Sequence, residues 1–249
     1  MALENEGSNL MVRTEYAAKS RVQHRILTFA CLGLIFALTG TLTVAAPVEN
    51  VIPIAKARSL PLGTHVTISG VVSTPAGAFE SSFSDKGFGL QDGSAGIYIS
   101  TPTIFNMAKP PKRAYVTGVL KDQSGLLVVV PTDTAAVQFA IGLMNTAEAR
   151  VIEPKPLKTA EVGEANEGLI VKVHGKVTQA PAGDGPYGYK VSIDDGSGET
   201  LIFVNVQTGI PTSSFVAGKV VSVTGFSSQY DTHHEIDPRG PADIGAAQP

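Results

Sequence analysis

From residue 66 onward the chain alternates apolar and polar side chains in short runs, each closed by a turn signal. Val66-Thr67-Ile68-Ser69 is the plainest example, and a period of two marks a strand with one buried face. The pattern predicts strands at Val66–Ser73, Lys86–Gln91, Ile97–Ser100, Arg113–Leu120 and Leu126–Val130. It predicts five more at Leu169–Thr178, Tyr189–Ile193, Leu201–Val206, Lys219–Phe226 and His234–Ile236. Asp92-Gly93-Ser94 and Asp195-Gly196-Ser197-Gly198 are the hairpin turns. Thr101–Ala108 has room for a short helical turn. Beyond residue 46 no amphipathic helical pattern runs longer than about ten residues.

These two sets of strands are copies. Ile68-Ser69-Gly70-Val71-Val72 matches Val173-His174-Gly175-Lys176-Val177 at an offset of 105 residues. Gln91-Asp92-Gly93-Ser94 matches Asp194-Asp195-Gly196-Ser197 at 103, and Val116-Thr117-Gly118 matches Val223-Thr224-Gly225 at 107. Matches in the same order with so little drift indicate an internal duplication. Each copy, of about 100 residues, is large enough for its own core. The expected domains are residues 47–145 and 146–249, joined within Thr146–Glu167 by a short Pro-containing link.

Five strands per copy, with the longest connection between the third and fourth, is the order of the OB-fold barrel. An immunoglobulin-like sandwich is the competing architecture, but it needs about seven strands. The fold class expected is therefore all-β, two tandem five-stranded OB-fold barrels after an N-terminal segment. The phrases Gly87-Phe88-Gly89-Leu90-Gln91-Asp92, Gly96-Ile97-Tyr98-Ile99 and Glu235-Ile236-Asp237-Pro238-Arg239 resemble secreted bacterial OB-fold modules. The resemblance covers about residues 50 to 246. It implies modules that occur in tandem or beside extracellular nucleases and carry a nucleic-acid-binding label by fold. OB barrels also bind sugars and proteins, so the resemblance speaks to fold more than to function.

Ile26 to Ala46 is an uncharged apolar run preceded by Arg13, Lys19, Arg21 and Arg25 and closed by Val44-Ala45-Ala46. That is the layout of a secretory signal, with Met11 a candidate start. An uncleaved anchor is the alternative, since 21 residues at 1.5 Å each just span a hydrocarbon core of about 30 Å. Either reading places the rest of the chain outside the cytoplasm, secreted or periplasmic. The single cysteine, Cys31, lies in this segment, so the remainder has neither a disulfide framework nor a cysteine zinc site.

Charge narrows the ligand classes. The net charge of −3 and pI near 5.9 exclude binding to nucleic acid through bulk positive charge. No G-x-S-x-G, H-E-x-x-H or P-loop motif is present, so no enzyme is expected, and neither a cofactor nor a metal. Asp194 to Glu199 lacks the ligand spacing of a calcium loop. In Asp231, His233, His234 and Glu235, adjacent histidines point to opposite faces of a strand, so a solvated loop is expected there instead.

Aligning the copies pairs Val66 with Val171, Ile68 with Val173, Ile97 with Ile202 and Ile99 with Val204, all expected in the core. The opposite parity faces outward. In copy two it carries Lys172, His174, Lys176, Lys190, Phe203 and Asn205; in copy one it carries Tyr98, where copy two has Phe203. Basic side chains around an aromatic make the footprint of single-stranded nucleic acid or another extended polyanion. The competing readings are lysines that only keep an exposed face soluble and aromatics that pack against the neighbouring domain. Copy two is acidic from residue 151 on, with seven Lys and Arg against twelve Asp and Glu, so weak binding is expected. The chain is thus expected to be a monomeric, non-enzymatic binding protein. The alternatives are a protein- or oligosaccharide-interaction module at the cell envelope and an accessory subunit of an extracellular nuclease.

Overall fold

Alternating β-branched residues and closely spaced turns leave this chain little but strand to form. The computed structural model describes residues 50–79, 85–140 and 151–246. The apolar N-terminal segment and the expected boundary near residue 145 lie outside them. Barrel one contains β1 (Val51–Ile52), α1 (Ile54–Arg58), β2 (His65–Val72), β3 (Phe88–Gln91), β4 (Gly96–Ile99), β5 (Arg113–Gln123), β6 (Leu126–Pro131) and β7 (Val137–Phe139). Barrel two contains β8 (Lys155–Pro156), β9 (Ile170–Val177), β10 (Ala182–Asp184), β11 (Gly188–Asp194), β12 (Glu199–Asn205), β13 (Val220–Tyr230), β14 (His233–Asp237) and β15 (Ile244–Ala246).

In barrel one the order β2-β3-β4-β6-β5 closes through a β5–β2 pairing. Barrel two repeats it as β9-β11-β12-β14-β13, closed by β13–β9. The third and fifth barrel strands run parallel in both, Tyr98 opposite Val128 and Leu201 opposite Glu235. Two closed five-stranded barrels with this connectivity are tandem OB-folds. All ten predicted strands are present. The pattern missed the two- and three-residue edge strands, the five-residue α1 and the last four residues of β13, because segments this short carry no usable period.

The predicted core pairs all point inward. Val66, Ile68, Ile97 and Ile99 fill one barrel; Val171, Val173, Ile202 and Val204 fill the other, each buried. Both hairpin turns are tied down by the same device. In barrel one Asp92 accepts from the Ile54 amide at 2.9 Å and Ser94 from the Ala55 amide at 3.0 Å. In barrel two Asp195 accepts from the Thr159 amide at 3.3 Å and Ser197 from the Ala160 amide at 3.1 Å. Hydrogen bonds from the Ser197 and Thr159 hydroxyls hold the Asp195 carboxyl below its ordinary range. Each turn aspartate is thus spent on its own barrel, as a hairpin turn and not a calcium loop requires.

The described residues of both barrels form one compact unit, and the barrels share a third, smaller core. Phe79, Tyr98 and Val128 from barrel one pack with Ile170 and Phe226 from barrel two. Around it, the Arg58 guanidinium donates to Glu167 at 3.0 Å, Glu164 at 3.3 Å and the Gly96 carbonyl at 3.2 Å. The buried Glu167 carboxylate also accepts from the Leu127 amide at 3.3 Å. At Gly96 and Gly168 the two backbones come so close that a Cβ on either would overlap the other residue. Only glycine permits that approach, and Gly168 also sits at φ +84°.

Candidate ligand cleft and basic strand

Strands β11 and β12, the β9–β11 connection and the β13–β14 turn are where an OB barrel presents its groove. In barrel two these elements border a cleft of about 380 Å³, and barrel one supplies its other wall. Lys190 and Phe203 face each other across the β11–β12 ladder and both line it, with Asn205 two residues further along β12. Tyr187 and Tyr230 come from the flanking connections, while Leu126 and Ser124 reach in from barrel one.

Cleft electrostatics are dominated by acids. Asp85, Asp184, Glu235 and Asp237 stand against Lys190 and His233 among the described lining residues. Lys190 is already paired with Asp184 at 2.9 Å. His233 Nε2 lies 3.7 Å from Glu235. Burial pushes the Glu235 carboxyl up to about 7, against the attraction of Lys190. Burial, reinforced by Glu235, raises Asp237 well above the ordinary carboxylate range. The Ser228 hydroxyl donates to Asp237, yet Asp237 Oδ1 is buried without a partner among the described residues. Asp85 is satisfied differently: it accepts from the Gly87 amide at 2.6 Å, the Tyr98 hydroxyl at 3.2 Å and the Ser100 hydroxyl.

The structure divides the outward residues named from the sequence. Lys190, Phe203 and Asn205 converge on the cleft, although Asn205 is buried and Phe203 half-buried. Lys172, His174 and Lys176 do not line it; they stand exposed along β9. Tyr98 touches the cleft edge but is 6% exposed, its ring packed on Phe226. Burial raises its hydroxyl pKa well above the ordinary value. Tyr98 therefore belongs to the joint between the barrels, the alternative already open for the outward aromatics. On barrel one the matching face is covered at Gly89, where a Cβ would sit 3.1 Å from the Phe226 ring.

The expected solvated loop at 231–235 is corrected. His233 and Glu235 do share a face, but that face borders the cleft and Glu235 is 6% exposed. Sequence reasoning also passed over Asp237, Tyr187 and Asp184. Glu235 and Asp237 alternate with the buried Ile236, a period-two signal that was available but gave no hint that the outward side would be covered.

No family model matches the chain. Endonuclease YhcR of Bacillus subtilis (strain 168) is 28% identical over 209 residues, which is 81% of this chain and 16% of that protein. The chain thus spans about a sixth of the length of the curated relative it matches. Among solved structures, a murine DNA-binding protein bound with double-stranded DNA aligns at TM-score 0.39 and 14% identity, covering 74% of this chain and 97% of that one. An OBody bound to hen egg-white lysozyme aligns at 0.32 and 21%, covering 40% and 98%.

Proposed function

We propose that this chain is an exported, non-enzymatic binding protein whose second barrel holds nucleic acid, single strands above all, along β9. The observation that carries the reading is the outward row Lys172, His174 and Lys176 on β9; Lys219, opposite Val177, adds a further exposed lysine at the end of that strand pair. All four are exposed, and none is ion-paired among the described residues. Alternate strand residues stand roughly 7 Å apart, so the row offers spaced charges to a chain of phosphates. The cleft is no path for phosphates, because four carboxyl groups line it. Similarity to part of an endonuclease supports nucleic acid as the ligand class. Export rests on the basic residues and apolar run before residue 47.

The test is fluorescence anisotropy of the full chain with a labelled oligothymidylate across a salt series. The slope of log K against log salt is expected to be negative, and a flat line overturns the reading. A role in binding protein or carbohydrate at the envelope is the second reading, and the aromatic, acid-lined cleft favours it.

A further inference from the structure

The cleft between the barrels has a chemistry that the β9 row does not share. Two neighbouring carboxyl groups of β14, Glu235 and Asp237, point into it from the same side of the strand. Asp237 is 5% exposed, and its Oδ1 has no hydrogen-bond partner among the described residues. Natural proteins rarely leave a buried carboxylate oxygen unpaired, since desolvation then goes uncompensated. Lys190, the lysine among the described lining residues, is held by Asp184 at 2.9 Å. Asp85, on the opposite wall, is spent on Gly87, Tyr98 and Ser100. What remains is an acidic, partly enclosed space that Phe203, Tyr187 and Tyr230 also line.

We infer that this cleft binds an organic ammonium group, a protonated amine carried on an apolar stem. Such a group supplies donors to Asp237 Oδ1 and to Glu235, and its charge offsets the repulsion between them. Aromatic faces attract the same cation through their quadrupole and cover its stem. A phosphate is repelled by the same walls, and the described residues hold no group of three side chains placed to bind a metal ion. A neutral sugar can donate to Asp237 but brings no charge to hold the two acids ionised together. Because the β9 lysines do not line the cleft, this inference stands apart from the nucleic-acid reading.

The source of the amine is a free polyamine or a lysine side chain of another protein, and the experiment separates them. The full chain is titrated calorimetrically with spermidine, with N-acetyl-lysine methylamide, with the norleucine counterpart and with a neutral chitin hexamer. Titrations run at pH 6 and pH 8 in buffers of different ionisation enthalpy. At least one amine is expected to bind, ten-fold or more tighter than either neutral compound. Binding should release protons and tighten as pH rises towards 7, by up to about ten-fold per pH unit, because the cation favours the ionised carboxyls of Glu235 and Asp237. Asp237→Asn and Glu235→Gln should each weaken it about ten-fold in proteins whose melting remains cooperative. Tighter spermidine points to a free polyamine, and a tighter lysine derivative to a protein side chain. The inference is overturned if neither amine binds, if a neutral compound binds as well, or if the wild type releases no protons. The last criterion needs no variant to fold.

Discussion

The ring of Tyr98 stands edge-on to that of Phe226, centroids 5.8 Å apart and planes inclined at 61°. This pair joins the third strand of barrel one to the fourth strand of barrel two, and Phe79 closes on Phe226 from 6.1 Å. The barrels are therefore fixed to each other by a small core, which also shapes the cleft beside it.

Phe226→Ala removes the ring against which both Tyr98 and Phe79 pack in that shared core. The expected loss is about 3–5 kcal/mol, the usual cost of truncating a buried Phe. Urea unfolding of the full chain measures it. Tyr98→Phe, which keeps the ring and loses only the bond to Asp85, should cost far less. Equal losses for the two variants would show that the ring contact does not hold the barrels together.

Glu167→Ala strikes the polar side of the same joint. Its carboxylate is almost fully covered and accepts from both Arg58 and the Leu127 amide. Removing it leaves Arg58, 14% exposed, only the exposed Glu164 and the Gly96 carbonyl as partners, and leaves the Leu127 amide unpaired, so a loss of about 1–3 kcal/mol is expected. Glu167→Gln should recover part of this. Thermal melts of the two variants check the order.

Stability should fall as pH rises from about 4.5 to about 7. Burial raises Glu235 from its ordinary 4.5 to about 7, and it raises Asp237 and Glu167 in the same direction. The folded chain then binds more protons than the unfolded chain across that window, and the slope of stability against pH is negative. Glu235 alone accounts for something on the order of 3 kcal/mol. Glu235→Gln should flatten the profile and raise the melting temperature at pH 8. A wild-type profile that climbs between pH 5 and 7.5 would contradict the assignment.

Lys172→Ala, Lys176→Ala and Lys219→Ala should each reduce the magnitude of the oligonucleotide salt slope by roughly 0.7 while leaving the melting curve unchanged. Phe203→Ala, at the cleft, should leave that slope where it was. If Phe203→Ala weakens oligonucleotide binding as base stacking would, by about 1–3 kcal/mol, the bases enter the cleft and the two surfaces act as one.

The duplication, the ten barrel strands, the two hairpin turns and the inward residues of each barrel were all written in the order of side chains. A period of two and a recurring turn are local properties, and closing five such strands into a barrel follows from burying their one apolar side. Outwardness was equally legible, but outward is not the same as exposed. Tyr98 and Phe203 occupy equivalent outward places; one is sealed under Phe226 and the other borders a cleft, because the duplicated barrels pack asymmetrically. Glu235 reads in sequence as a polar residue near a turn, and in the structure it is buried at a cleft that residues of barrel one, more than a hundred positions earlier in the chain, help to line. Alternation along a strand tells only which of two sides a residue takes, whereas what covers that side is set by a partner distant in sequence, and that was decided by the tertiary structure alone.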